Sequence, residues 1–246
     1  MRYLVLSDVH ANLEALEAVL DAAREIPYER LLVLGDLVGY GADPNAVVDR
    51  IRGLQPHAVI RGNHDKVGAG LEPSDAFNTV ARAAIRWTYE ALSDDNRDWL
   101  AELPTGPLVI DDLLEICHGT PFDEDMYVFD DADVLRSMQA ADRRLVLFGH
   151  THVQVGYRLA NQSLTLATAD VRRPLHIAIG QGHYLINPGS VGQPRDGDPR
   201  AGFGVYDAGS QVVEIYRTPY PIEQTQARIR DAGLPEALAQ RLAIGR

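Results

Sequence analysis

Tyr3-Leu4-Val5-Leu6-Ser7 reads as a buried strand, and from Ala11 to Arg24 the residues Leu13, Leu16, Val19 and Leu20 recur at helical spacing. Leu31 to Leu34 reads as a second strand, Asn45 to Arg52 as a second helix and Ala58 to Arg61 as a third strand. A helix between two strands carries the chain back to the end where the first strand began, so the strands pair in parallel and the helices cover the sheet. The start of the chain therefore predicts a mostly parallel sheet flanked by helices.

Further along, Phe77, Val80, Ala81, Ala84, Ile85 and Leu92 form one face of an amphipathic helix, and a second short helix is expected from Asp95 to Leu103, stopped by Pro104. Leu108 to His118 reads as a hairpin turning near Asp111-Asp112, and Arg144 to Phe148 as a buried strand ending at Gly149. Beyond His152 the pattern changes to short strands at Val153–Leu159, Leu175–Ile179, His183–Asn187, Phe203–Tyr206 and Val212–Arg217. No repeat, low-complexity tract or long linker separates the halves. The expectation is one domain over 1–246, two packed sheets with helices outside, a helical segment at 73–103 and a helical tail at 221–246 broken at Gly233–Pro235.

A chain of 246 residues can bury roughly 70–75% of its unfolded surface, so it needs no disulfide, and its single Cys117 can form none within the chain. Asp8, Glu14 and Glu17 interrupt any apolar leader-like stretch near the start, which points to a cytoplasmic protein. No stretch approaches the ~18 consecutive apolar residues of a membrane span. The formal net charge of −12 opposes binding to nucleic acid or anionic lipid.

The strand ends carry the chemistry. Asp8 and His10 follow the first strand, Asp36 the second, and Gly62-Asn63-His64-Asp65 closes the third. His118 ends the run Leu113 to Cys117, and His150 and His152 follow Leu147-Phe148-Gly149. If the backbone stays extended at His150–His152, residues i and i+2 project to one side and both imidazoles face one point. Taken singly, Asp36 could cap a helix, Asn63 and Asp65 could hold a turn, and His118 could be a hydrogen-bonded core residue. Taken together, ligands gather at the carboxyl ends of parallel strands, so these segments should converge, and neither a core nor a solvated face requires N- and O-ligands at five strand ends.

The ordered set Asp8-Val9-His10, Gly35-Asp36, Gly62-Asn63-His64-Asp65, His118 and Gly149-His150-Thr151-His152 resembles the calcineurin-like metallophosphoesterase superfamily, over roughly residues 1 to 218. The resemblance implies an α/β fold, a four-layer α/β/β/α sandwich of two mixed sheets with outer helices, around a two-metal centre. It assigns Asp8, His10 and His152 to one metal, Asn63, His118 and His150 to the other, and Asp36 to the bridge. It makes His64 the proton donor to the leaving group, with Asp65 orienting it. Asn12 matches the extended pattern Asp-x-His-x-Asn and is expected either to touch phosphate or to cap the following helix. Arg195 lies in the loop Asn187 to Arg195, which resembles one near the site of small bacterial members, and is a candidate substrate contact against the alternative of an ordinary salt bridge.

The expected cofactors are two divalent transition-metal ions, since mixed imidazole, carboxylate and amide ligation suits Mn, Fe, Co, Ni or Zn rather than Ca or Mg. Two such ions ~3.5–4 Å apart can share a hydroxide and clamp a phosphoryl group. Charges of +4 from the ions, −2 from Asp8 and Asp36 and −1 from hydroxide leave a local +1, so an acidic protein can still hold a small phosphate ester. Relatives that carry Asp-Arg-Gly after the second motif clamp phosphate with that arginine. Here Gly39-Tyr40-Gly41 stands instead, which favours phosphodiesters over phosphomonoesters or nucleotides. A nuclease is disfavoured by the net charge, and a non-enzymatic scaffold of the same fold by the intact site positions.

Overall fold

The computed structural model describes residues 1–167 and 175–246. The chain runs through β1 (Arg2–Leu6), α1 (Leu13–Ala23), β2 (Arg30–Val33), α2 (Pro44–Gly53), β3 (Ala58–Val59) and α3 (Asn63–Gly68). A 3-10 turn at Ser74–Ala76, α4 (Thr79–Ala91), α5 (Asp94–Ala101) and the hairpin of β4 (Leu108–Ile110) and β5 (Leu114–Cys117) follow. Then come α6 (Asp131–Ala140), β6 (Leu145–Phe148), β7 (Val155–Ala160), β8 (Ser163–Ala167), β9 (Leu175–Ala178), β10 (His183–Asn187), β11 (Ala201–Asp207), β12 (Val212–Thr218), α7 (Ile222–Asp231) and α8 (Glu236–Leu242).

The strands make two six-stranded sheets, ordered β3-β2-β1-β11-β12-β9 and β4-β5-β6-β10-β7-β8. The parallel pairing read from the first sixty residues holds for β1 with β2 and β2 with β3. It stops at β1, whose other edge pairs antiparallel with β11, so both sheets are mixed.

Period-two alternation on β1 builds the layers. Leu4 and Leu6 pack against Leu16 and Val19 of α1 and Val48 and Ile51 of α2. Tyr3 and Val5, on the opposite face, meet Ile116, Leu147 and Ile186 of the second sheet. Outside that sheet Val146, Phe148 and Leu185 are covered by Val134 and Met138 of α6. The result is the four-layer α/β/β/α sandwich. Fully burying each such side chain contributes roughly 1.5–3 kcal/mol, and a one-residue slip would forfeit both faces at once.

Three elements were not anticipated. Residues 63–68 form α3, where no element was assigned; Asp65 closes its first turn by accepting from the Gly62 amide at 3.0 Å. α6 has only a sparse apolar stripe, and its start is fixed by Asp130, which accepts from the Asp133 amide at 3.0 Å. β8 is largely exposed, and the alternation of Leu164 and Leu166 with Ser163 and Thr165 covers only five residues. At the C-terminal side α7 and α8 break at Gly233 (φ +69°) and pack with α4 around Tyr40. Thr225 of α7 donates to Asn12 at 3.1 Å, and Arg228 pairs with Glu14 at 2.6 Å and Asp43 at 2.7 Å, so the tail is docked on the start of α1.

Candidate metal centre

The chain turns sharply where each strand meets the site. Asp8, His10, Asp36, His150 and His152 all have φ between 50° and 64°, the left-handed region. Each such non-glycine residue costs on the order of 1–3 kcal/mol and persists only when its surroundings hold it. Here the loops hold one another: the Asp8 amide donates to Gly35 at 3.0 Å, His10 to Asp36 at 2.9 Å, Gly149 to His118 at 2.9 Å and Gly192 to Asp8 at 2.9 Å. The condition of an extended backbone at His150–His152 is therefore not met. Two left-handed residues aim the rings apart, into two clusters.

One cluster comprises Asp8, His10, Asp36 and His152, the other Asp36, His118 and His150; all are buried, with ligand atoms within 4.8 Å of one another in each. Asp36 belongs to both. Its Oδ2 is 3.6 Å from His10 Nε2 and 3.3 Å from His118 Nε2. Asn63 Oδ1 lies 3.3 Å from His118 Nε2.

The proton positions favour a cation in each cluster. Nδ1 of His10, His118 and His152 faces the carbonyl of Val38 (3.0 Å), Leu34 (2.8 Å) and Gln193 (2.6 Å), contacts that require the proton on Nδ1. Their Nε2 atoms then carry lone pairs, yet His10 Nε2 and His152 Nε2 stand 3.0 Å apart. His150 is turned the other way: Nε2 faces the Asp125 carbonyl at 3.0 Å, and its Nδ1 lone pair meets His118 Nε2 at 3.2 Å. The opposed lone pairs of His10 and His152 repel unless a cation lies between them, and His118 Nε2, set between Asp36 Oδ2 and the His150 Nδ1 lone pair, calls for a positive charge of its own, a proton or a metal ion. This donor set fits two divalent transition-metal ions.

The electrostatics agree. Burial works against the charge on Asp8, but His152 and His118 outweigh it and hold the carboxyl below the usual range. Asp36 is likewise held low against burial, by His118, His64 and His10. Burial alone would lower His118, but the charge and hydrogen bond of Asp36 carry it up to about 10, so without metal this position holds a proton. Burial, reinforced by the positive charge of His118, takes His150 down to about 3.

His64 sits beside the clusters. Its amide donates to Asp36 Oδ1 at 2.8 Å, and its ring packs on His10, Tyr40 and Phe77 at 4.9, 4.4 and 4.7 Å. Nδ1 is buried with no hydrogen-bond partner among the described residues. A Cβ on Gly39 (φ +87°) would lie 2.3 Å from that atom, so only glycine admits the ring. Burial, partly offset by the charge of Asp36, takes His64 down to about 4.

Asp65, expected to orient His64, does not reach its ring. Its carboxylate accepts from the Leu37 amide at 2.8 Å, Val38 at 3.1 Å and Gly62 at 3.0 Å, joining the loops after β2 and β3, and it makes no hydrogen bond to the His64 ring. Of the two readings of Asn12, capping is realised: Oδ1 accepts from the Ala15 amide at 3.1 Å and the side-chain amide donates to the Gly192 carbonyl at 2.9 Å. Arg195 forms no salt bridge among the described residues. Its Nη2 donates to Gln193 Oε1 at 3.0 Å, and its guanidinium lies 5.7 Å from the Tyr40 ring centre.

Sequence reasoning missed Tyr40, Gln193 and Tyr127. Tyr40 carried a faint signal, an aromatic between two glycines, and a Cβ on Gly41 would meet the His10 carbonyl at 2.4 Å. Tyr127, 3.8 Å ring to ring from His150, carried none. His57 and His176 sit beside Asp111 and Glu214, at 3.3 and 3.2 Å, away from the site.

The sequence profile of the calcineurin-like phosphoesterase superfamily domain matches residues 1–211. An uncharacterized protein of Methanocaldococcus jannaschii is 35% identical over 256 aligned residues, covering 98% of this chain and 97% of that one. The crystal structure of a metallophosphoesterase from Sphaerobacter thermophilus is similar with a TM-score of 0.87 at 39% identity, over 100% of both chains. A hypothetical protein from Pyrococcus horikoshii shares the fold, with a TM-score of 0.80 at 22% identity over 100% of this chain and 98% of that one. Among the described residues no helix is long and apolar enough to cross a membrane.

Proposed function

The chain belongs to the calcineurin-like phosphoesterase superfamily and is a metal-dependent phosphoesterase, and on that premise we propose that it hydrolyses small phosphodiesters at a centre of two divalent transition-metal ions. Asp8, His10 and His152 would hold one ion, Asn63, His118 and His150 the other, and Asp36 both. The observation that carries this reading is Asp36, shared by two buried clusters of inward-facing histidine nitrogens. Bound there, such ions supply a nucleophile at neutral pH and positive charge against the phosphoryl oxygens.

The chain's own residues do the rest. Backbone carbonyls fix the tautomers of His10, His118 and His152 and so aim their Nε2 atoms inward. His64 gives a proton to the departing oxygen. Its low proton affinity belongs to the site without substrate, and a phosphate anion beside the ring favours the protonated form. Asp65 positions His64 by locking the two loops rather than by touching the ring. Asn12 braces α1 against Gly192, and Arg195, free of carboxylate partners among the described residues, is available to the substrate. The preference for diesters rests on Gly39-Tyr40-Gly41, which lacks the arginine that would clamp a dianionic monoester; the net charge of −12 argues against nucleic acid as substrate.

The test is His64→Asn, with metal content measured. Both metals should stay bound while kcat falls about 10²–10⁴-fold on an alkyl phosphodiester, and much less on bis(p-nitrophenyl) phosphate, whose leaving group departs without a proton. Equal fractional losses on the two substrates would remove the proton-donor role. Faster hydrolysis of p-nitrophenyl phosphate than of its diester would remove the diester preference.

A further inference from the structure

Beside the metal ligands lies a cavity of about 230 Å³, lined on its inner side by His64 and His150 and around its walls by Tyr40, Phe77 and Tyr127. His64 is 4.4 Å from Tyr40 and 4.7 Å from Phe77, centre to centre, and Tyr127 is 3.8 Å from His150. Phe129, 82% exposed, stacks on Tyr127 at 5.2 Å and 16°, so flat faces lead from solvent to the site. Surfaces of this kind hold a planar ring by stacking.

The cavity lining also carries charge of a definite sign. Of its charged residues, Lys66 pairs with Glu72 at 3.2 Å and also with Asp125, while Glu124, outside the lining, pairs with Lys66 at 3.3 Å and with Arg61 at 3.0 Å. Two lining carboxylates on one lysine leave a negative charge in excess. A second phosphate directed this way would be repelled, whereas N–H groups on a ring would find acceptors. The volume is below the ~300–1,000 Å³ of pockets for drug-sized ligands, so it holds one ring system with its sugar and not two.

We infer that this cavity is the leaving-group subsite, shaped for an aminopurine or aminopyrimidine nucleoside whose ring lies among Tyr40, Phe77 and Tyr127, whose N–H edge faces Glu72 and Asp125, and whose oxygen leaves phosphorus beside His64. The inference rests on the phosphodiesterase reading. A new P–O bond forms to the oxygen of water as the P–O bond to the nucleoside breaks. The bonding pair stays on the nucleoside oxygen, which takes a proton from His64, and the proton lost by water goes to solvent.

Adenosine 5′-(methyl phosphate) tests this with one molecule. Both of its arms leave as alkoxides, so the ratio of adenosine plus methyl phosphate to adenosine monophosphate plus methanol reads which arm occupies the subsite. Metal-loaded protein should give adenosine in at least about tenfold excess, and Phe77→Ala should bring the ratio near unity, as expected for loss of a base-stacking face. Phe77→Leu, which keeps the apolar packing but loses the flat face, should do the same at unchanged melting temperature. Ligand-observed NMR should show adenosine binding to metal-free protein, weakened about tenfold or more in both variants. Preferential release of methanol, no hydrolysis of this substrate by protein that cleaves bis(p-nitrophenyl) phosphate, or a ratio and adenosine affinity indifferent to Phe77 would each overturn the subsite. No hydrolysis of bis(p-nitrophenyl) phosphate by protein holding both metals would instead overturn the phosphodiesterase reading beneath it.

Discussion

A single methyl group placed at Gly192 should empty the metal centre. A Cβ there would lie 1.9 Å from the Val9 carbonyl oxygen and 3.1 Å from Asn12 Cβ. Contacts under 3.0 Å are not sustained, so the carbonyl must retreat by about 1.1 Å, the difference between 3.0 and 1.9. It cannot do so alone. Val9 lies between Asp8 and His10, and Gly192 is pinned on both sides, by its amide to Asp8 at 2.9 Å and by its carbonyl to Asn12 at 2.9 Å. A shift of that size passes into both flanking side chains, against the ~0.2 Å tolerance of metal–ligand distances. Forcing atoms into a packed core typically costs 1–3 kcal/mol, which for a chain this size lowers the melting temperature by roughly 2–12 °C. Gly192→Ala should therefore lose most bound metal and melt in that lower range. Gly53→Ala, at the end of α2 with nothing within 4 Å of the added Cβ, is the matched control and should melt at the wild-type temperature or slightly above it. Elemental analysis after gel filtration and thermal unfolding by circular dichroism read the two effects. A Gly192→Ala protein with full metal content and wild-type melting would refute the claim that the Gly192 turn holds Asp8 and His10 in place.

Asp36→Asn preserves the acceptor for the His64 amide but removes the charge common to both clusters, so it should strip metal and turnover far more than Asp65→Asn, whose loss should stay within about 10–100-fold; equal losses in kcat and metal content would contradict the bridging assignment. Metal affinity should rise with pH. His118, carried up to about 10 from an ordinary 6.5, must surrender its proton to bind an ion. Chelator competition at three pH values between 6.5 and 8.5 should show close to tenfold tighter binding per unit, and calorimetry in buffers of different ionisation enthalpy should show a released proton; a flat profile with no proton release would remove the His118 assignment. The sign for stability is the reverse. In metal-free protein the raised His118 value stabilises the fold fully below about pH 6.5, and that contribution is lost as pH rises through about 10.

The layers were legible because strand and helix periods were both clean: Tyr3 to Leu6 alternates between two cores, and Leu16 and Val19 lie on one stripe. The candidate clusters were legible because their Asp and His residues follow apolar runs. Other features were hidden for definite reasons. α3 begins on the same residues that carry the motif, so Asn63, His64 and Asp65 read as chemistry rather than as a helix start. Asp65 gives no sequence sign that it bonds backbone amides rather than an imidazole, since a carboxylate serves either. The left-handed backbone at Asp8, His10, Asp36, His150 and His152 is enforced by contacts between distant loops, and local preference argues against it at histidine. Tyr127 and Gln193 reach the site from irregular segments, where no period exists to be read.

The antiparallel seam between β1 and β11 joins Arg2 to Asp207 and Val5 to Gly204. On the ribosome, roughly 200 residues separate the emergence of these partners, which at ~5–20 residues per second is a wait of ~10–40 s. Throughout that interval one edge of β1 has no native neighbour, and it must be shielded from strands of other nascent chains. The Gly192 turn that buttresses Asp8 is also still unmade. Metal acquisition is thus a late event in the life of each molecule, governed by the ions present around the finished polypeptide rather than those met at the tunnel exit.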